Sequence, residues 1–217
     1  MVMAYQVPKH IKVYHIVHMD RLESILKDGC LYSDDIINDR ENKGITIGMK
    51  KIKHRRLTQN KLNSYPDLFV GQCVPFYFCP RSVMLYLIYK GNHAEIDYQG
   101  GQERIIHLEA DFYDGVQWAK QNNKRWVFTL SNAASCWFED RNDLSNLNEV
   151  NWPVVSNRYW HAQCESKQAE FLVEHSFAWQ LVTRIGVYSS AIQQEVQRVV
   201  ERYAQKVKVD IKRDWYY

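Results

Sequence analysis

The succession of apolar and polar positions along the chain predicts short strands interleaved with short helices. Residues 11–18, Ile-Lys-Val-Tyr-His-Ile-Val-His, are rich in β-branched and aromatic side chains, which fit a pleated strand better than a helix. Leu22, Ile25 and Leu26 then recur at helical spacing, with Asp20 expected as N-cap, Glu23 three positions on as its capping-box partner and Gly29 as the stop. Residues 36–67 lack sustained periodicity and hold the basic run Lys50-Lys51-Ile52-Lys53-His54-Arg55-Arg56. They are expected to form a long loop with short helical pieces, and so long a loop in a compact domain points to a working role.

Further along, Val74 to Cys79 predicts a buried strand, Ser82 to Tyr89 a short apolar helix and Glu103 to Glu109 another strand. Gly115 to Gln121 follows as a helix and Arg125 to Leu130 as a strand, with a turn at Ser131 to Ala134 and helix and loop over 135–167. Gln168 to Glu174 alternates, setting Ala169, Phe171 and Val173 on one face and Gln168, Glu170, Leu172 and Glu174 on the other. Arg184 to Ser189 predicts a strand, Ala191 to Gln205 a helix striped by Ile192, Val196, Val199 and Tyr203, and Val207, Val209 and Ile211 a last strand. No repeat, low-complexity tract or linker interrupts the pattern. One mixed α/β or α+β domain over residues 1–217 is therefore expected, with about six to eight short strands and flanking helices.

Composition narrows the class. Hydrophobic residues at 46% and charged residues at 24% are ordinary globular values, and no apolar run approaches the length of a membrane span. The first residues carry no basic segment followed by an apolar stretch, so a cytoplasmic protein is expected. Cys30, Cys73, Cys79, Cys136 and Cys164 are an odd set without a C-x-x-C pair, which argues against a disulfide framework or a zinc site and reads as reduced, mostly buried thiols. A net charge of +3 does not by itself establish nucleic-acid binding. Seven Trp and 14 Tyr are a heavy load of flat rings, which either fill a core or stack on bases.

Several chemistries lack their residues. The chain has no G-x-x-x-x-G-K-[ST], no G-x-G-x-x-G opening a helix and no G-x-S-x-G. Tyr98-Gln99-Gly100-Gly101-Gln102-Glu103 reads more readily as a turn than as a phosphate loop, and His93-Ala94-Glu95 lacks the P-C-x-x-C of the base deaminases. Glu170 stands out, because glutamate is disfavoured in strands and here follows the polar run Glu165 to Gln168, as though a loop fed a strand at a sheet rim. The plain alternative is that Gln168 and Glu170 face water on an edge strand. A lone strand histidine such as His15 is more often a satisfied core or rim residue than a catalytic one, and Asn132 is open between a base-edge contact and a cap on the following helix. Lys50 to Arg56 and Lys206 to Arg213 either track phosphates or merely solubilise.

Taken in order, several segments resemble the DarT family, the toxins of DarTG toxin-antitoxin systems. They are Tyr14-His15-Ile16-Val17-His18 with Leu22 to Gly29, Lys53-His54-Arg55-Arg56, Val74 to Ser82 with Met84-Leu85-Tyr86, Tyr98 to Glu103, Lys167-Gln168-Ala169-Glu170-Phe171-Leu172-Val173, and Arg213-Asp214-Trp215-Tyr216-Tyr217. The resemblance spans nearly the whole chain. It implies an ADP-ribosyltransferase fold like that of poly-ADP-ribose polymerases and diphtheria-like toxins, a split, mostly antiparallel sheet clasping NAD⁺ in a cleft. It further implies that Glu170 and Arg56 are catalytic, that His15, His18, Arg56 and Tyr77 bind NAD⁺, and that Lys53, Arg55, Asn132 and Lys167 contact single-stranded DNA. The expected reaction attaches ADP-ribose to a thymine ring nitrogen and blocks replication. The expected partner is the DarG antitoxin, whose macrodomain removes the modification, and the toxin is expected to act as a monomer without a metal. Two alternatives stay open: the same fold acting on guanosine, RNA or protein or hydrolysing NAD⁺, and a silent nucleic-acid-binding domain.

The residue types suit that chemistry. Breaking the nicotinamide–ribose bond leaves an oxocarbenium-like sugar, which a carboxylate stabilises. A guanidinium grips a pyrophosphate in bidentate fashion without losing its charge, and nicotinamide leaves neutral.

Overall fold

The computed structural model describes residues 4–41 and 44–217. Met1 to Met3, part of the terminus considered for secretion, and Asn42 and Lys43, inside the 36–67 stretch, lie outside the described residues.

The chain is α+β and most of its periodic segments form the expected elements. Strand β1 (Lys12–His18) leads into α1 (Leu22–Asp28), and Gly29 ends that helix with φ +69°, a conformation open to a residue without Cβ. Asp20 does not cap α1. It lies within a short 3-10 turn, Met19–Arg21, and its carboxylate accepts from the backbone N–H of Ile45, 2.9 Å away, fastening a later loop to the end of β1. There follow β2 (Cys30–Tyr32), α2 (Asp34–Asn38) and α3 (Lys50–Thr58), the last replacing the expected loop around the basic run with a regular helix. The remaining elements are β3 (Cys73–Tyr77), α4 (Val83–Lys90), β4 (Ile105–Asp111), α5 (Phe112–Gln121), β5 (Trp126–Thr129), β6 (Asp140–Arg141), α6 (Trp152–Ser156), α7 (Cys164–Lys167), β7 (Glu170–Glu174), β8 (Ser176–Ala178), β9 (Val182–Val187), α8 (Ser190–Arg202) and β10 (Lys208–Ile211).

Eight strands line up as β10-β9-β4-β1-β3-β7-β5-β6, while β2 and β8 form a separate ribbon. Only β9 and β10 run parallel; every other pair in the sheet is antiparallel. The sheet is split in its middle. Strand β1 pairs with β4 through seven consecutive residues, from Lys12 opposite Asp111 to His18 opposite Ile105, but meets β3 at a single pair, Tyr14 opposite Tyr77. Strand β7 lies between β3 and β5, so it is an interior strand and the edge-strand alternative for Glu170 falls.

Both faces are covered. On one, Val13, Val17, Phe76, Leu108, Phe128, Phe171, Val173 and Ile185 join the apolar stripes of α1, α5 and α8 in the main core. Alternation sends the intervening residues to the opposite face, where they form two smaller cores. Ile16 and Ile105 meet Leu85, Ile88, Trp215 and Tyr216 behind one half-sheet, and Val127 and Leu172 meet Leu62, Leu68 and Val70 behind the other. The sheet's opening lies between these halves. Within the main core Phe112 packs edge-on against Phe171 at 4.9 Å between centroids, and Phe76 meets Phe177 at 4.5 Å. Such fully buried rings each contribute about 1.5–3 kcal/mol. Among the described residues, no helix is long and apolar enough to cross a membrane. All five cysteines are free, with Cys73 and Cys79 buried, Cys30 and Cys164 partly so and Cys136 exposed.

Candidate active site

A cleft opens where β1 and β3 part, and its wall opposite the strands is α3. His15, Ile16 and Val17 reach it from β1, Pro75 and Tyr77 from β3, and Met49, Ile52, Lys53 and Arg56 from α3 and its start. Residues of both sheet faces line it, because parted strands expose both. Proline suits the parting strand: it has no N–H to leave unpaired. The free carbonyl of Pro75 is taken by the His15 side chain, with Nδ1 2.8 Å away. A carbonyl only accepts, so Nδ1 carries the proton. Burial pushes the imidazole down to about 4, against the smaller opposing effect of the Pro75 bond, so the ring is neutral at neutral pH. Its Nε2 therefore keeps a lone pair and acts as a hydrogen-bond acceptor.

Glu170 begins β7 opposite Tyr77 in register. Its backbone N–H donates to the Thr129 hydroxyl at 2.9 Å, and that hydroxyl donates to the Ser131 carbonyl at 2.7 Å, which fixes where the strand starts. The carboxylate is gripped end-on by Arg56: Nη1 donates to Oε1 at 3.0 Å and Nη2 to Oε2 at 2.8 Å. The two side chains are only 12% and 3% exposed, so this is a buried, bidentate pair. Burial alone would lower the Arg56 guanidinium, but the adjoining Glu170 charge and hydrogen bonds outweigh it and push it above its ordinary value. Burial, and then the Glu170 charge, push the Tyr77 phenol up as well. It stays protonated and can donate.

The cleft also holds cations that the sequence reading assigned elsewhere or overlooked. Lys53, expected on DNA, lines the cleft, where Nζ meets Asp34 Oδ1 at 2.6 Å. Arg21 lines it too, and among the described residues it forms no ion pair; burial lowers its guanidinium from the ordinary value. An arginine one turn past a strand carries no distinguishing sequence signal, so Arg21 was not legible. The loop residue Gly44, at φ +62°, packs so closely that a Cβ there would lie 2.8 Å from the Arg21 Cγ.

Two expected site residues are placed differently. His18 is 4% exposed and does not line the cleft; its Nδ1 bonds Asp20 Oδ1 at 2.8 Å and its ring packs edge-on against Tyr98. The reason is periodicity: His15 and His18 are three apart on a strand and so point to opposite faces. Lys167 is 3% exposed and donates to the carbonyls of Val155 at 2.6 Å and Asn157 at 2.8 Å, clamping the segment before α7 instead of facing a solvent-borne phosphate. Arg55 and Asn132 lie together in a second cavity, on the far side of α3. The Asn132 Oδ1 accepts from the Ala134 N–H at 2.9 Å, closing a turn where, among the described residues, no helix follows for it to cap, which leaves its amide nitrogen to donate.

A buried carboxylate–guanidinium pair beside a neutral histidine, a protonated phenol and further cations suits an anionic substrate that develops positive charge on a sugar during reaction. Comparison with known proteins agrees. The family model described as "ssDNA thymidine ADP-ribosyltransferase, DarT" matches residues 14–217. A DNA ADP-ribosyl transferase from Thermus sp. (strain 2.9) is 35% identical over 97% of this chain and 98% of its own. The structure of Thermus sp. 2.9 DarT in complex with ADP-ribosylated ssDNA superposes with a TM-score of 0.87 at 33% identity, covering 99% of this chain and all (100%) of that one. The same relative in complex with NAD⁺ gives a TM-score of 0.83 at 31% identity over 98% and 100%. The chain belongs to the DarT family of single-stranded DNA thymidine ADP-ribosyltransferases.

Proposed function

We propose that the chain transfers ADP-ribose from NAD⁺, held in the cleft between β1, β3 and α3, to a thymine ring nitrogen in single-stranded DNA, with Glu170 and Arg56 as the catalytic pair. The observation that carries this assignment of roles is the buried bidentate contact between Arg56, which lines the cleft, and Glu170 at the start of β7. Arg21, Lys53 and Arg56 supply positive charge for the pyrophosphate. His15 offers the Nε2 lone pair to a ribose hydroxyl or the carboxamide, and Tyr77 offers a phenolic proton. His18, bonded to Asp20, and Lys167, bonded to the Val155 and Asn157 carbonyls, are assigned to holding their own segments in place.

Arg56 can hold one oxygen of Glu170 while the other turns to the substrate. That oxygen stabilises positive charge on the ribose as the bond from C1′ to nicotinamide breaks. Glu170 then accepts the thymine N3 proton as N3 bonds to C1′, and nicotinamide departs neutral. A base so modified cannot pair, which supports action as a replication-blocking toxin. The family assignment supports a DarG-type antitoxin, with a macrodomain that removes the adduct, as the partner.

Mass spectrometry of single-stranded oligonucleotides after incubation with the protein and NAD⁺ tests the reaction. An ADP-ribose adduct is expected on strands with thymidine and absent from thymidine-free and double-stranded controls. Adducts independent of thymidine would overturn the acceptor, and unconsumed NAD⁺ would overturn the enzyme.

A further inference from the structure

None of the apolar residues of α3 is fully buried, so core packing does little to fix this wall of the cleft. Polar contacts hold it instead: Lys53 to Asp34, Arg56 to Glu170 and, just past the helix end, Asn60. Asn60 is 7% exposed and ties three segments together. Its N–H donates to the Arg55 carbonyl at 3.0 Å, which keeps it attached to the last turn of α3. Its carbonyl accepts from the Val70 N–H at 2.9 Å, in the turn that leads into β3. Its side-chain amide donates to the Ala133 carbonyl at 2.8 Å and to the Ser135 carbonyl at 3.0 Å, in the segment that leaves β5. Carbonyls are met only by donors, so a side chain of the same size without N–H groups would leave both unpaired.

Strands β3 and β5 are the two that flank β7, on which Glu170 sits. On the β3 side the contact is close: a Cβ on Gly71 would lie 2.6 Å from the Cγ of Leu57 in α3. On the β5 side the same segment reaches Glu170 itself. The fully buried Thr129 accepts from the Glu170 N–H and donates to the Ser131 carbonyl through its hydroxyl. The contacts therefore close a ring, from Arg56 along α3 to Asn60, through residues 131–135 to Thr129, and through Glu170 back to Arg56. Neither Asn60 nor Thr129 lines the cleft.

We propose that Asn60 and Thr129 are positioning residues for the transfer, setting the distance and angle at which Arg56 meets Glu170. This rests on the catalytic roles proposed for that pair. Asn60 fixes α3 against the strands on either side of β7, and Thr129 fixes where β7 begins. The guanidinium and the carboxylate so arrive face to face although 114 positions separate them in sequence. A carboxylate that serves first C1′ and then the thymine N3 tolerates little displacement, since a misplacement of about 1 Å lowers a rate by about 10²-fold.

The test is single-turnover transfer, read per folded molecule, on the full chain carrying Asn60→Leu, Thr129→Val or Thr129→Ser, each alone and together with Glu170→Gln. Asn60→Leu and Thr129→Val keep the side-chain size and remove the hydrogen bonds, and each should lower transfer by about 10–10²-fold. Thr129→Ser keeps the hydroxyl and should stay within about threefold of wild type. Combined with Glu170→Gln, the same substitutions should add less than about threefold, because residues acting through one pair do not multiply their losses. A general weakening of the fold would multiply them. If Asn60→Leu does not fold, Thr129→Val against Thr129→Ser decides. Wild-type transfer in a folded Asn60→Leu or in Thr129→Val, an equal loss in Thr129→Ser, or losses that multiply with that of Glu170→Gln would overturn the proposal. Wild-type transfer by Glu170→Gln alone would overturn the role of Glu170 instead.

Discussion

Strand β1 has two edges with opposite fates. Along one it pairs with β4 through seven residues, and the half-sheet β10-β9-β4-β1 is paired from strand to strand with one register shift, at Glu109 and Ala110 between β4 and β9. Along the other it touches β3 once and then parts from it, leaving a gap that His15 spans with a side chain. Backbone pairing satisfies polar groups so completely that it leaves nothing for a substrate. The chemistry gathers beside the place where the ladder lapses: the His15 side chain bonds Pro75 across the gap, and Arg56, which lines the cleft, holds Glu170 at the start of β7.

If that contrast holds, substitutions at the seam should harm stability and reaction together, and those in the ladder should harm stability alone. The largest effect is expected from Arg56→Ala, which leaves the buried Glu170 charge unpaired. A loss of about 3–5 kcal/mol in urea unfolding is expected, with transfer abolished. The same buried pairing means that Glu170→Ala is not silent for the fold, as a rim carboxylate would be. Next is Gly186→Ala in β9, where a Cβ would lie 2.3 Å from the Trp215 ring. It should cost about 1–3 kcal/mol, seen as a lower melting temperature, while kcat/KM per folded molecule stays near wild type. Lys167→Met should cost about 1–3 kcal/mol by leaving the Val155 and Asn157 carbonyls without their donor, and weakened salt dependence of DNA binding would contradict the clamp.

The smallest and most gradual effect is on pH. His15 and the buried His107 are both pushed down to about 4, mainly by burial, from an ordinary 6.5. A histidine lowered in the folded state is protonated first in the unfolded one. Its stabilising contribution is therefore complete above about pH 6.5 and is lost as pH falls towards 4. Melting temperature should decline across that window, and His15→Gln should flatten part of the decline.

Much of this was legible in the sequence where packing imposes a period. Strands β1, β4 and β9 and helices α4, α5 and α8 follow their apolar stripes, each placed to within a few residues. Helix α3 was not legible, because none of its apolar residues is fully buried and no stripe marks it. Once it is known to be a helix, simple spacing separates Lys53 from Arg55, two residues and some 200° apart on a 3.6-residue turn. Strands β2, β6 and β8 span three residues or fewer, too few to show alternation. Glu170 was found, but its burial was not: period-2 alternation says which residues share a face, not what covers it. The buried Lys167 had no signal at all, since a lysine that clamps two carbonyls looks in sequence like any surface lysine.

The central claim is that the seam, through Glu170, performs the transfer while the surrounding cleft binds the dinucleotide. Calorimetric NAD⁺ binding and single-turnover ADP-ribosyl transfer should be measured side by side on Glu170→Gln, which keeps the size and one acceptor for Arg56. The expected result is NAD⁺ affinity within a few-fold of wild type with transfer reduced by about 10²–10⁴-fold. Transfer at the wild-type rate with a neutral residue at position 170 would contradict the account.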